Sequence, residues 1–127
     1  DQLILYNNQS PYTTALLVPN KARLRKHLAH QHLDLSSDQG REEAIRILQR
    51  QIDRFRKGGD LSSMFPDRWL PTTFAILPEP FIEQNGMVNS TMKIVRGKVE
   101  KAYAARIAQL YTPEGKNPQN KWNKEAL

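Results

Sequence analysis

At 127 residues the chain has the size of one domain with a single small core. Its hydrophobic content is 39% and its mean hydropathy −0.67, and no apolar run approaches the roughly 20 residues of a membrane span. Cysteine is absent, which excludes a disulfide framework, thiolate metal sites and a cysteine nucleophile; the net charge of +6 favours an anionic partner without choosing among nucleic acid, anionic lipid and a phosphate-bearing small molecule.

In chain order, QLILYNN (2–8) reads as a short strand stopped by two turn-forming Asn residues, and YTTALLV from Tyr12 to Val18 reads as a second strand closed by Pro19. Strand, Asn-rich turn and strand together signal a hairpin. Asn20 is placed to N-cap a helix over Lys21–His32, with Leu24 and Leu28 on one face and His32 or Leu35 continuing it. A second helix starts at Ser36 or Ser37 and stops at Gly58-Gly59, with Ile45, Leu48, Ile52 and Phe55 as its apolar stripe. A loop weighted with Pro66 and Pro71 leads to a third strand, Thr72–Leu77, halted by Pro78 and Pro80. EQNG then marks a turn, and a final helix spans about Arg96–Tyr111 with Val99, Tyr103, Ile107 and Leu110 inward. Residues 112–127 are polar, with Gly and two Pro residues, and read as an extended or poorly ordered tail with Trp122 as its apolar anchor. The expected fold is a small α+β domain, ordered β-β-α-α-β-α. It has a roughly three-stranded sheet (the hairpin plus one later strand) and about three helices, mainly on one face.

Several constellations invite a chemical reading. Ser90-Thr91-Met92-Lys93 matches S-x-x-K, a spacing that lets an amine take a hydroxyl proton when both residues stand on a helix's first turn. No K-T-G element accompanies it, and two matching residues are cheap by chance. His27, His30 and His32 lie in one helix, but no carboxylate is near them in sequence, so no metal site is expected. Arg46, Arg50 and Arg54 recur every four residues, a stripe able to touch phosphates; the blander expectation pairs them locally with Glu42, Glu43 and Asp53. Neither G-x-x-x-x-G-K-[ST] nor G-x-G-x-x-G occurs, so the chain has no nucleotide cradle of its own.

The stretch LPEPFIEQNGMVNSTMKIVRGKVEKAY (77–103) resembles the C-terminal motif of AMP-forming acyl-CoA synthetases, and within them the long-chain fatty acyl branch. The matching pieces are Leu77–Phe81, Asn85-Gly86, Thr91, Lys93-Ile94-Val95-Arg96 and Glu100–Tyr103; the opening strands, ending ALLVPN, are similar to those that follow the family's hinge. The glycine that often precedes the lysine in this superfamily is Met92 here, and the usual proline near the motif's start is replaced in MVNST. The resemblance implies that residues 1–111 form the C-terminal lid domain of a longer fatty acid–CoA ligase, with 112–127 as the tail. It implies a reaction in which a carboxylic acid and ATP with Mg2+ give acyl-AMP, and CoA then displaces AMP. Lys93 would be the catalytic lysine of the first step, delivered to a site on the N-terminal adenylate-binding domain. Alone, the domain would be inactive. The implied partners are that N-terminal domain, fatty acid, ATP and CoA, with no nucleic acid, in a cytoplasmic enzyme open to peripheral membrane association. The alternatives are a synthetase for another carboxylic acid and, from charge alone, a basic nucleic-acid-binding module.

Overall fold

The computed structural model of the chain describes residues 2–7, 11–55, 59–61, 63–64 and 70–127. Strand β1 (Gln2–Tyr6) pairs antiparallel with β2 (Thr14–Val18), from Gln2 opposite Val18 to Tyr6 opposite Thr14. Strand β3 (Thr73–Ile76) runs parallel to β2 on its other side, giving the order β1-β2-β3. A parallel neighbour needs a crossover, and residues 19–72 supply it as helices α1 (Lys21–Ala29) and α2 (Asp38–Asp53). Every residue of β2 is buried, Thr14 and the apolar Ala15–Val18 alike, as a strand between two covered faces requires.

Pleating divides the core in two. Leu16 and Val18 join Ile4, Phe81, Val99, Ile107 and Leu110 on one face, while Ala15 and Leu17 join Leu24, Leu28, Ile45, Leu48 and Phe74 on the other. The sheet therefore carries helices on both faces, α1 and α2 on one, α3 (Arg96–Ala102) and α4 (Ala104–Leu110) on the other. This corrects the one-sided arrangement expected above. Sidedness depends on how the crossover leaves the sheet, which no single helix encodes. The α+β class, the strand and helix order through α3 and the three-stranded sheet are as expected.

Local signals explain the helix starts. The Asn20 side chain accepts from the Arg23 N–H at 3.2 Å, and Ser37 accepts from Gly40 N–H at 3.0 Å. Helix α1 ends three residues before His32, which takes the left-handed conformation (φ 58°); the Leu33 N–H then returns to the Leu28 carbonyl and Leu35 folds in beside Leu24 and Leu28. Helix α2 ends at Asp53, before the expected glycine pair, of which Gly58 lies outside the described residues, as do Arg56, Lys57 and Pro66. Ile45 and Leu48 are buried as expected, and Ile52 and Phe55 half-buried. The single last helix expected over Arg96–Tyr111 breaks at Tyr103 (φ −113°, ψ 25°), yet bonds from Tyr103 N–H to Val99 and from Ile107 N–H to Tyr103 bridge the break, so one inward stripe survives it.

The tail departs most from expectation. It ends in a short helix, α5 (Lys121–Glu125), packed on β3 and α2, and its anchor is Asn123 rather than Trp122. Trp122 is 39% exposed, with the Arg106 guanidinium over its ring, whereas Asn123 is wholly buried. The Asn123 amide takes the Ile76 N–H at 2.8 Å and donates to the Phe74 carbonyl at 3.0 Å, occupying the outer edge of β3 as a neighbouring strand would. Thr73 Oγ1 donates to the Gly115 carbonyl at 2.8 Å, tying in the segment before α5. Polar composition reads as disorder when its amides have no known partner; here the partner is a sheet edge distant in sequence. No described helix is long and apolar enough to cross a membrane.

Candidate functional site

The chain leaving β3 is fixed before it reaches Lys93. Phe81 is buried, and the Gln2 side chain clamps its backbone, donating to the carbonyl at 3.0 Å and accepting from the N–H at 2.7 Å. Asn85 closes the next turn by accepting from Met87 N–H at 3.1 Å and donating to the Pro80 carbonyl at 2.9 Å; Gly86 follows at φ 78°, where glycine carries no steric penalty.

A small antiparallel hairpin then presents Lys93. Val88 and Ile94 form its bridge, and the Asn89 N–H donates to the Lys93 carbonyl at 2.9 Å. Within the loop, Asn89 Oδ1 accepts from Thr91 N–H at 3.0 Å, Thr91 Oγ1 at 2.7 Å and Lys93 N–H at 3.0 Å. One side chain thus sets the loop's path, the Asx-turn habit of asparagine. On the far side, Val95 N–H bonds the Met87 carbonyl, and Arg96 at the start of α3 pairs with Glu100 at 3.3 Å and donates to the Leu5 carbonyl of β1. Arg96 is therefore a clamp between α3 and the sheet. Lys93 itself is exposed, and its ammonium has no hydrogen bond or ion pair among the described residues. Met92 and Ile94, on either side of it in sequence, are exposed as well. The backbone is held and the charge is exposed.

Met92 stands at φ 63°, a region costing an L-residue about 1–2 kcal/mol. The departure from the superfamily's glycine thus falls where glycine would fit without strain. Met92→Gly is expected to leave unfolding free energy unchanged or raised by up to about 1 kcal/mol, since relief of strain opposes the entropy cost of glycine. Met92→Val, β-branched, is expected to lower it by about 1–2 kcal/mol. Urea unfolding of both variants checks this, and a stabilising valine would contradict it.

The other constellations resolve differently. Ser90–Lys93 is a turn, not a helix's first turn, so S-x-x-K lacks the geometry its chemistry needs. All three histidines are exposed, and among the described residues no three metal-ligating side chains come together. The arginine stripe of α2 is largely neutralised: Arg50 meets Glu43 at 2.6 Å, Arg46 meets Glu43 at 3.1 Å, and Arg54 meets Asp60 at 3.2 Å. Partial burial pushes the Glu43 carboxyl up, but its bonds to Arg50 and Arg46 outweigh this and hold it below the usual glutamate range. A depressed folded-state value means the stabilisation is present above the unfolded value of roughly 4.3 and is lost as pH falls through the folded one. Glu43→Gln is expected to cost about 0.5–1 kcal/mol at pH 7 and to flatten the acid limb of the stability curve. Equal acid sensitivity in both proteins would remove Glu43 from that role.

No family model matches the chain. Over 103 residues it is 24% identical to long chain acyl-CoA synthetase 8 of Arabidopsis thaliana, a match covering 79% of this chain and 14% of that protein. Among solved structures it resembles the adenylation domain of a carboxylate reductase from Mycobacterium chelonae, with a TM-score of 0.65 and 21% identity over 87% of this chain and 15% of the other. The chain thus spans about one seventh of each. The structural match shows a shared fold. The curated relative agrees with the resemblance to acyl-CoA synthetases.

Proposed function

We propose that this chain is the C-terminal lid of a fatty acid–CoA ligase, and that Lys93 supplies the positive charge for adenylation at a site on the large N-terminal domain. The observation that carries this reading is the Lys93 loop: a backbone fixed by Asn89, the Val88–Ile94 bridge and the Arg96 clamp, ending in an exposed ammonium with no ion pair among the described residues. A surface lysine of no consequence needs no such scaffold.

Nucleotidyl transfer is helped by a cation placed where charge accumulates on the α-phosphate and carboxylate. Lysine suits a group that arrives and leaves, being a compact charge on a flexible stem. ATP, Mg2+, fatty acid and CoA are assigned in this reading to the rest of the enzyme, where the metal would neutralise phosphate charge. The names of the relatives, an acyl-CoA synthetase and a carboxylate reductase's adenylation domain, share activation of a carboxylate. A fatty acid is the first choice from the former, and another carboxylic acid the alternative. Nucleic acid is not proposed, because the stripe that suggested it is met by Glu43 and Asp60.

A domain that lends one lysine should not act by itself. The isolated chain, given ATP, Mg2+ and a fatty acid, is expected to release no pyrophosphate above the rate of the same mixture without protein. Turnover dependent on the chain would contradict the reading, since the adenylation site would then lie within these 127 residues.

A further inference from the structure

Unpaired positive charge is concentrated on α1, not on the α2 stripe that the sequence singles out. Helix α1 carries Lys21, Arg23, Arg25 and Lys26 and no acidic residue in nine positions. Among the described residues none of these four cations lies in an ion pair, whereas Arg46, Arg50 and Arg54 of α2 each do. Arg23 and His27 stand four residues apart, hence on one side of α1. That side forms a wall of a cleft of about 360 Å3, with Gln51 and Arg54 of α2 opposite and the buried Leu24 and Leu48 also lining it. Arg54 commits Nε and Nη2 to Asp60, and among the described residues its Nη1 has no acceptor.

We propose that the α1–α2 cleft binds a phosphate group. Two guanidiniums, an imidazole and an amide offer many N–H donors, and a phosphate monoester brings three acceptor oxygens and close to two negative charges. A carboxylate has fewer acceptors and half the charge. Because Asp60 already offsets Arg54, the site's discrimination rests chiefly on Arg23. The phosphate has two possible sources, a small phosphate ester or a lipid headgroup.

The test uses the whole 127-residue chain at low ionic strength. The labelled protein is titrated with inorganic phosphate and pyrophosphate by NMR, and its sedimentation is followed with phosphatidylcholine vesicles with and without phosphatidate. Arg23→Gln is compared with Lys101→Gln, which removes one exposed charge from α3; His27→Gln serves as a second cleft variant. Saturable shifts at Arg23, His27 and Gln51, weakened at least about tenfold by Arg23→Gln but not by Lys101→Gln, are expected. Pyrophosphate binding alone assigns a small ligand, and phosphatidate-dependent sedimentation with the same sensitivity assigns a lipid; both support the site. No binding to phosphate, pyrophosphate or phosphatidate vesicles, or equal weakening by the two charge removals, overturns it. Since no catalysis is measured, failure here leaves the role of Lys93 untouched.

Discussion

Replacing Asn123 by alanine should lower the unfolding free energy of the chain by about 3–5 kcal/mol, a large part of the 5–15 kcal/mol typical of a domain. Asn123 Oδ1 accepts from Ile76 N–H at 2.8 Å and Arg106 Nη2 at 2.7 Å, and Nδ2 donates to the Phe74 carbonyl at 3.0 Å and the Pro118 carbonyl at 2.9 Å. Alanine leaves a strand N–H and a strand carbonyl buried at the edge of β3 with no side chain to meet them. It also takes one acceptor from Arg106, whose ionisation burial already disfavours. Each buried group left unsatisfied costs about 1–3 kcal/mol. Its neighbour Trp122, half-open to solvent, contributes through the Arg106 contact, so Trp122→Ala should cost less, about 1 kcal/mol. Urea unfolding ranks the two. Equal costs, or an Asn123→Ala loss below 1 kcal/mol, would mean that α5 does not seal the sheet edge.

Removal of Lys93 should act on rate and leave stability alone. Its side chain is exposed and unpaired among the described residues, so Lys93→Ala breaks no contact there. At about 3 Å from a phosphate oxygen an ammonium gains roughly 5 kcal/mol at an effective dielectric near 20. Loss of one preorganised donor in a transition state costs on the order of 10²–10³ in rate. Preorganisation here is the work of Asn89, whose carboxamide oxygen gathers the loop around the Lys93 N–H. Lys93→Arg keeps the charge but replaces a compact ammonium by a planar fork, and should recover only part of the rate.

Features written in neighbouring residues were readable in advance. The caps at Asn20 and Ser37, the apolar stripe of Ile45 and Leu48, and the ALLV run of β2 follow from contacts within a few positions. Lys93 stood out only by its place in a motif. Asn89 was missed although an Asn two residues before Thr91 is a known turn signal, because its importance lies in accepting from Lys93 as well. Tertiary features were not legible. No Gly or Pro lies near Tyr103 to announce the break between α3 and α4, and nothing in QNKWNKEAL marks Asn123 above Trp122 as the anchor. Charge counting likewise pointed to α2, since pairing with Glu43 and Asp60 appears only once the chain is folded.

The proposed function is tested most directly on the full-length protein that carries this domain, with Lys93→Ala, followed in the two half-reactions. Fatty-acid-dependent ATP–pyrophosphate exchange reports adenylation; thioester formation from preformed acyl-adenylate and CoA reports the transfer. Exchange should fall by on the order of 10²–10³ while transfer proceeds at the unmodified rate. If both half-reactions run normally, Lys93 is a surface lysine on a well-made loop, and the domain does not act through it.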